Sequence, residues 1–534
     1  MKKRNPALTR FFFLLSLCVG VWVLNLSCSS KPTDVRTVIP ADALVYLETN
    51  DLGKTVGAIT ESEAFARASS KKPDLSAING VRVAVAVTGF QTAEQDAGED
   101  KVIGKIIPHF VAVAETNAWS WQTTSFVENK LGEFINDVYG GAVELNVSPK
   151  SDGKYFVWTA QDGRKAYALV QGSVIYFGND ESSIEKCQAV KRGETESIAK
   201  NPKITSGDRL AFGYISPDGV AQIANIAGTM FAGNTDEDSE IKSFVARVLP
   251  EILRNSVSEA TWTATSKPGG QIEDSYSIAL KPEIAKTFSE NFVAGGDFDP
   301  DISRFLPAGF VSTTRYNFRD PRAAWNIAVR TAQSSTDAIS GNLIGAFSGS
   351  LFEPYGVEDP ELFLKAAGNV FETAAFDADG DDVVIVARVN DFEALRRSVA
   401  KEINFAAAPE KLEGADVWRS ADGEIAFAIV EGRMILGDAA IVSKCLKARN
   451  EGTNLVTVAM GARLNGLKAP ISTVGTETDP AARLAEVLGE RKNEETPLSQ
   501  RYDTETSFDQ NGIQRRSTSD FGLIGTIIEQ FRAE

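Results

Sequence analysis

One block of sequence occurs twice in this chain. Trp158 to Gly172 reads WTAQDGRKAYALVQG and Trp418 to Gly432 reads WRSADGEIAFAIVEG, with seven of fifteen positions identical and no gap. Other landmarks keep similar offsets. Ile39-Pro40-Ala41 matches Leu306-Pro307-Ala308, Asn50 matches Asn317, Lys186-Cys187 matches Lys444-Cys445, and Ser216-Pro217 matches Asp479-Pro480. Collinear matches with a period of about 260 residues describe a tandem pair of like units rather than a solenoid of short repeats. Whatever one unit folds into, the other must fold into as well.

Each unit reads as strands and hairpins with a few helices. The runs VRVAVAV, FVAVAET and VVIVARV alternate as antiparallel strands with one buried face do. Asp162-Gly163 and Asp422-Gly423 are hairpin turns of the Asp-Gly type, and Asp320-Pro321 is a helix cap followed by proline at the first helical position. Regular β-α-β alternation is absent, so the expected class is α+β, a tandem duplication of an antiparallel sheet with helices packed on one face. The expected divisions are a first copy at 38–294, an acidic linker at 295–303 and a second copy at 304–534.

The segment before residue 38 carries an address. Lys2, Lys3 and Arg4 precede an apolar run from Phe11 to Leu24, and then comes Leu26-Ser27-Cys28. That order resembles a bacterial lipoprotein signal peptide over residues 1–27, with acylation expected at Cys28 and a polar tether over 28–37. Asn25 departs from the usual pattern, which has an aliphatic residue there. The alternative is an uncleaved anchor, but a run of 14 residues is short of the ~20 that a spanning helix needs. The expected location is therefore outside the cytoplasm, in the envelope, lipid-anchored to an outer or periplasm-facing membrane surface. Losing residues 1–27 removes Lys2, Lys3, Arg4, Arg10 and no acid, which takes the formal charge from −17 to −21. Such a surface disfavours nucleic acid and polybasic docking on anionic headgroups.

Pro40-Ala41-Asp42-Ala43-Leu44-Val45-Tyr46-Leu47-Glu48 resembles the opening of bacterial envelope proteins grouped under the domain of unknown function 3352. The resemblance spans those nine residues, together with overall length and the lipoprotein-like start. It implies an exported protein and brings no activity and no functional residues with it.

The side chains that carry chemistry are sparse. His109 is the single histidine, which excludes His-rich zinc sites and leaves room for one Ser-His pair at most. Ser69-x-x-Lys72 and Ser183-x-x-Lys186 lack the companion motifs of that nucleophile class. No metal or cofactor is expected. Asp297, Asp299 and Asp301 offer alternating carboxylates as candidate ion ligands, and Asp377 to Asp382 has glycine in the wrong place for a calcium loop. Cys187 and Cys445 occupy equivalent positions and would bridge the copies if their Cα atoms lay within ~7 Å; otherwise they are small core residues. Trp158 and Trp418 read as core fillers.

Three functions fit, in this order. The first is a non-catalytic, membrane-tethered module that binds a protein partner. The second is a carrier of a lipid or other apolar ligand, and the third an uncharacterised hydrolase.

Overall fold

The computed structural model describes residues 33–530, apart from 97–101, 142, 151–152, 234–239, 297–298, 300, 308, 378–381, 400–402, 451–454 and 493–498. Ten strands belong to the first half: β1 (Val45–Thr49), β2 (Arg82–Asp96), β3 (Val102–Glu115), β4 (Glu144–Lys150), β5 (Gly153–Thr159), β6 (Lys165–Gln171), β7 (Val174–Gly178), β8 (Ala211–Ile215), β9 (Val257–Ser266) and β10 (Ile272–Leu280). Ten belong to the second: β11 (Ser312–Asn317), β12 (Ala367–Ala375), β13 (Val383–Val389), β14 (Glu410–Leu412), β15 (Ala415–Arg419), β16 (Ile425–Val430), β17 (Arg433–Asp438), β18 (Ile471–Thr478), β19 (Ser499–Asp509) and β20 (Gly512–Ser519).

All twenty strands form one antiparallel sheet. From one edge the order is β4-β5-β6-β7-β3-β2-β1-β8-β9-β10, and then β20-β19-β18-β11-β12-β13-β17-β16-β15-β14. The order is a palindrome about the β10–β20 contact, each strand facing a counterpart ten numbers away. The seam itself is eight residues long, from Ile272↔Ser519 to Ala279↔Gly512. The class is α+β.

Local chemistry sets the turns and helix starts. Gly163 and Gly423 take φ of +85° and +82° in their hairpins, a region where a side chain is costly. Asp320 caps its helix by accepting from Ala323 N at 2.9 Å, with Pro321 at the first position, and Asp51 does the same for Lys54 N at 3.0 Å.

Helices cover both faces of the sheet rather than one. In β13, Val384 and Val386 point into a core shared with the helix Ala439–Asn450 and the turn Ile302–Phe305. Ile385 and Ala387, between them, point into a second core with the helices Pro360–Ala366 and Phe392–Ser398. The near-continuous apolar run of β13 is the signature of a strand buried on both sides. The boundaries drawn from sequence also shift. Val35 and Val38 are buried in a 3-10 turn, so part of the segment expected to be a tether over 28–37 belongs to the fold. Ile302 and Phe305 occupy the corresponding buried turn of the second half, which begins inside the segment expected to be linker, at Ile302.

The halves are interlocked. The helix Pro480–Leu488 and the helix Gly522–Glu529 of the second half share a core with Val56, Ile59 and Phe65 of the first, over Trp262 and Ile272. Reciprocally, Phe288 of the helix Pro282–Asn291 and Phe292 just after its end pack on Phe318, Ile471 and Phe508.

Candidate functional site

The seam strands carry an asymmetry that follows from their sequences. In β9, VSEATWTATS, Trp262 and Ala264 point to one face and are buried, while Thr261, Thr263 and Thr265 point to the other. The register carries that second face across the seam. Thr261 lies opposite Ser277, Ser277 opposite Gln514, and Gln514 opposite Ser507. The next row runs Thr263, Ser275, Arg516, Glu505, and the one after it Thr265, Glu273, Thr518, Asp503. None of these side chains is buried. Four strands at the junction of the halves therefore present an open face of hydroxyls, an amide and a few charges, with Gln514 Nε2 donating to Ser277 Oγ at 3.1 Å.

Charged residues at the borders of this face are tied down. On the first-half side Glu259 is paired with Lys203 and accepts from Tyr214 OH at 3.0 Å. On the second-half side Asp503 is paired with Arg463, and Glu505 accepts from Lys468 N at 2.8 Å and Ala469 N at 3.3 Å. Glu273 holds Lys267 at 2.7 Å, with Arg516 3.6 Å away.

The central row ends in buried ion pairs. Beyond Thr263 it continues to Phe212 and Glu48, and beyond Glu505 to Ser472, Arg315 and Glu372. Glu48 and Arg315 lie at matching positions of the two halves, each two residues before the shared asparagine, Asn50 or Asn317. Glu48 is paired with Arg209 and accepts from Tyr46 OH at 2.6 Å. Arg315 donates to Glu372 Oε1 from Nε at 2.8 Å and from Nη2 at 2.7 Å, and Ser303 Oγ donates to the same oxygen at 3.0 Å. Burial pushes the Glu372 carboxyl up, against the pull of the Arg315 charge. One buried position thus holds an acid in one half and a base in the other, each with its own partner.

The residues singled out from sequence fall elsewhere. Cys28 lies outside the described residues, as does Asp297. Asp299 does not face an ion: Arg433 Nε donates to its Oδ2 at 2.7 Å, and Arg388 Nε lies 3.5 Å from that oxygen. Burial alone would raise its carboxyl, but the Arg433 bond and charge outweigh burial and hold it below the usual range. Asp301 precedes the Ile302–Phe305 turn, its side chain making no capping bond, and lies 3.8 Å from Arg304. Asp377 accepts from Asp382 N at 3.3 Å across its turn. His109 is half-buried and faces the Gln91 amide at 3.2 Å, while Ser183 Oγ is taken up by the Asp180 cap at 2.8 Å. Trp158 is buried, as expected of a core filler; Trp418 is half-buried among Phe392, Phe405 and Phe427.

Cys187 and Cys445 are free thiols in two separate cores, so no bridge joins them. Burial pushes the Cys187 thiol up to about 12 and raises Cys445 as well. Because the thiolate is the reactive species, neither is expected to react with Ellman's reagent in the native protein at pH 8. Both should react within minutes in denaturant, and prompt native labelling would show that these cores open.

A small cleft lies beside the second-half helices. It has room for about 30 Å³ between Pro480, Tyr502, Phe521 and Gly525, with Glu477, Arg501 and Glu529 at its rim. That is the share of one water molecule, and far below a ligand pocket of ~300 Å³ or more. Among the described residues, no group of three or more His, Cys, Asp or Glu could hold a metal ion. No helix among them is long and apolar enough to cross a membrane.

No protein family, no curated protein and no solved structure matches the chain.

The open face escaped the sequence reading because its strands meet across more than 230 residues, as in Ser277↔Gln514. The TWTATS alternation at Thr261–Ser266 was the available signal. It shows a polar face but not that the face stays uncovered.

Proposed function

We propose that this chain is a non-catalytic binding module of the cell envelope, held to a membrane through Cys28, that receives an extended polar protein segment. The observation that carries this reading is the open four-strand face at the junction of the halves. Four strands span about 14 Å, and the ten residues of β9 run about 33 Å. The resulting surface, on the order of 450 Å², is smaller than the ~800 Å² per partner of a standard protein–protein interface. It suits one extended segment lying across hydroxyl and amide groups better than a globular face. The carrier reading draws no support from a cleft of water size, and the hydrolase reading draws none from His109 facing an amide.

The test places a photoreactive benzoylphenylalanine at Ser277 or Gln514 in the full chain in living cells, with the exposed helix residue Lys191 as control. The expected result is a discrete cross-linked protein from the two floor positions and none from Lys191. The same band should vanish when Ser275→Trp fills the floor beside the probe. Floor positions that cross-link no more than Lys191, or a band indifferent to Ser275→Trp, would sink the reading.

A further inference from the structure

The described chain begins at Thr33, whose backbone N–H donates to Glu115 Oε2 at 3.0 Å. Glu115 closes β3 and is buried; its Oε1 accepts from Asn117 N at 3.0 Å. Asn117 has φ +54°, and the chain turns there into the helix Ser120–Phe126. Trp119 and Trp121 stand at the start of that helix with 57% and 66% of their surface exposed, whereas Trp158 is 1% and Trp262 7% exposed. Both exposed tryptophans thus follow within six residues of the side chain that receives Thr33.

The apolar exposure continues along one face of the sheet end. Val138, near the end of the same helical stack, is 54% exposed. On β4, Leu145 and Val147 lie opposite Trp158 and Phe156, which form the core beneath the stack. They extend that face to the sheet edge and are themselves exposed.

Chain length decides what lies next to this surface. Cys28 is five residues before Thr33, a reach of at most about 18 Å. Trp119 is four residues after Glu115, at most about 14 Å away. With Cys28 in a bilayer, this end of the molecule is confined to the membrane surface. Tryptophan favours the boundary between headgroups and acyl chains. A formal charge of −21 after residue 27 gives no electrostatic attraction to anionic lipid, so apolar contact must supply the hold. A short tether raises the local concentration enough for a weak contact to persist.

We propose that Trp119 and Trp121 seat this end of the protein in the headgroup layer of the membrane that anchors Cys28. The proposal rests on the lipoprotein reading of Cys28, and the experiment separates the two. The chain beginning at Cys28 is coupled through that thiol to maleimide-bearing phosphatidylcholine vesicles containing brominated acyl chains; Cys187 and Cys445 are buried and do not compete. The expected result is loss of tryptophan emission in the wild type, unchanged by 0.5 M salt, and no loss in Trp119→Ser/Trp121→Ser. Both positions are exposed, and an unchanged urea midpoint will show that the double variant folds. An equal fractional loss of emission in the two proteins, or none in either, overturns the seat, because coupling has imposed the anchor. Separately, the mass of the protein extracted from native membranes reports on Cys28. An acylated N-terminal Cys28 supports the anchor, and an unmodified one overturns that reading even where the coupled chain seats.

Discussion

Chains carrying Glu372→Ala are expected to lose about 3–5 kcal/mol of unfolding free energy, the usual cost of removing one partner of a buried ion pair. Glu372 is fully buried, and its Oε1 takes three hydrogen bonds, two of them from Arg315. Alanine would take the carboxylate away from the Arg315 guanidinium inside the second-half core, where Leu464 O at 3.2 Å, Asn465 Oδ1 at 2.5 Å and Ser303 Oγ at 3.3 Å are among its acceptors. Arginine cannot shed its charge to escape. Set against a typical total of ~5–15 kcal/mol, the loss is large enough to show as a much lower urea midpoint. Arg315→Met with Glu372→Leu should recover most of it, since an apolar pair avoids the desolvation cost of both ions. If the double variant is as unstable as Glu372→Ala, packing around Ser303 and Leu464, and not the lost ion pair, governs this site. Glu48→Ala should cost less, because Arg209 is half-buried and within reach of solvent, whereas Arg315 is buried.

Much of this fold can be read from the residues, and the unread parts share a cause. The Trp158 and Trp418 blocks, the Asp-Gly turns and the Asp320-Pro321 cap are local signals, and the structure realises each where the sequence puts it. The landmark Asn50/Asn317 came within two residues of the Glu48/Arg315 reversal. It gave no sign of it, since the partners, Arg209 and Glu372, lie on other strands or loops. Coverage of both faces is hidden when VVIVARV is grouped with its alternating neighbours, although its continuous apolarity is the signal of a strand buried on both sides. The edge-to-edge seam was not legible at all. Strands rich in Ser, Thr and charge, such as Glu273–Ile278 and Gln514–Thr518, read equally as exposed edges or as paired neighbours. Trp119 and Trp121 were passed over because tryptophan is buried more often than not. The placement of Thr33 against Glu115 brings the start of the described chain close to them.

The interlocking of the halves makes the most drastic prediction. Residues 33–294 produced alone should fail to fold, although they contain a complete sequence unit. Three contacts with the second half would be lost together. The β10 edge loses its eight-residue partner β20. Val56, Ile59, Phe65, Trp262 and Ile272 lose the covering helices Pro480–Leu488 and Gly522–Glu529. Phe292 loses Phe508 and Phe318, whose rings lie 4.5 Å and 5.6 Å from its own. Re-exposing six side chains of this size costs roughly 1.5–3 kcal/mol each, about 9 kcal/mol at the low end. That is most of what a folded chain typically has. Backbone bonds across the interface, Ser70 N to Glu490 O at 2.8 Å and Lys492 N to Ala68 O at 2.9 Å, go as well. Co-produced as two chains, 33–294 and 295–534 should instead assemble into a 1:1 complex with the near-ultraviolet circular dichroism of the intact protein. A solitary 33–294 that is monomeric on gel filtration and unfolds cooperatively in urea would mean that each half owns its core. The seam would then be a contact between finished domains, and the open face above it free to change shape as they move.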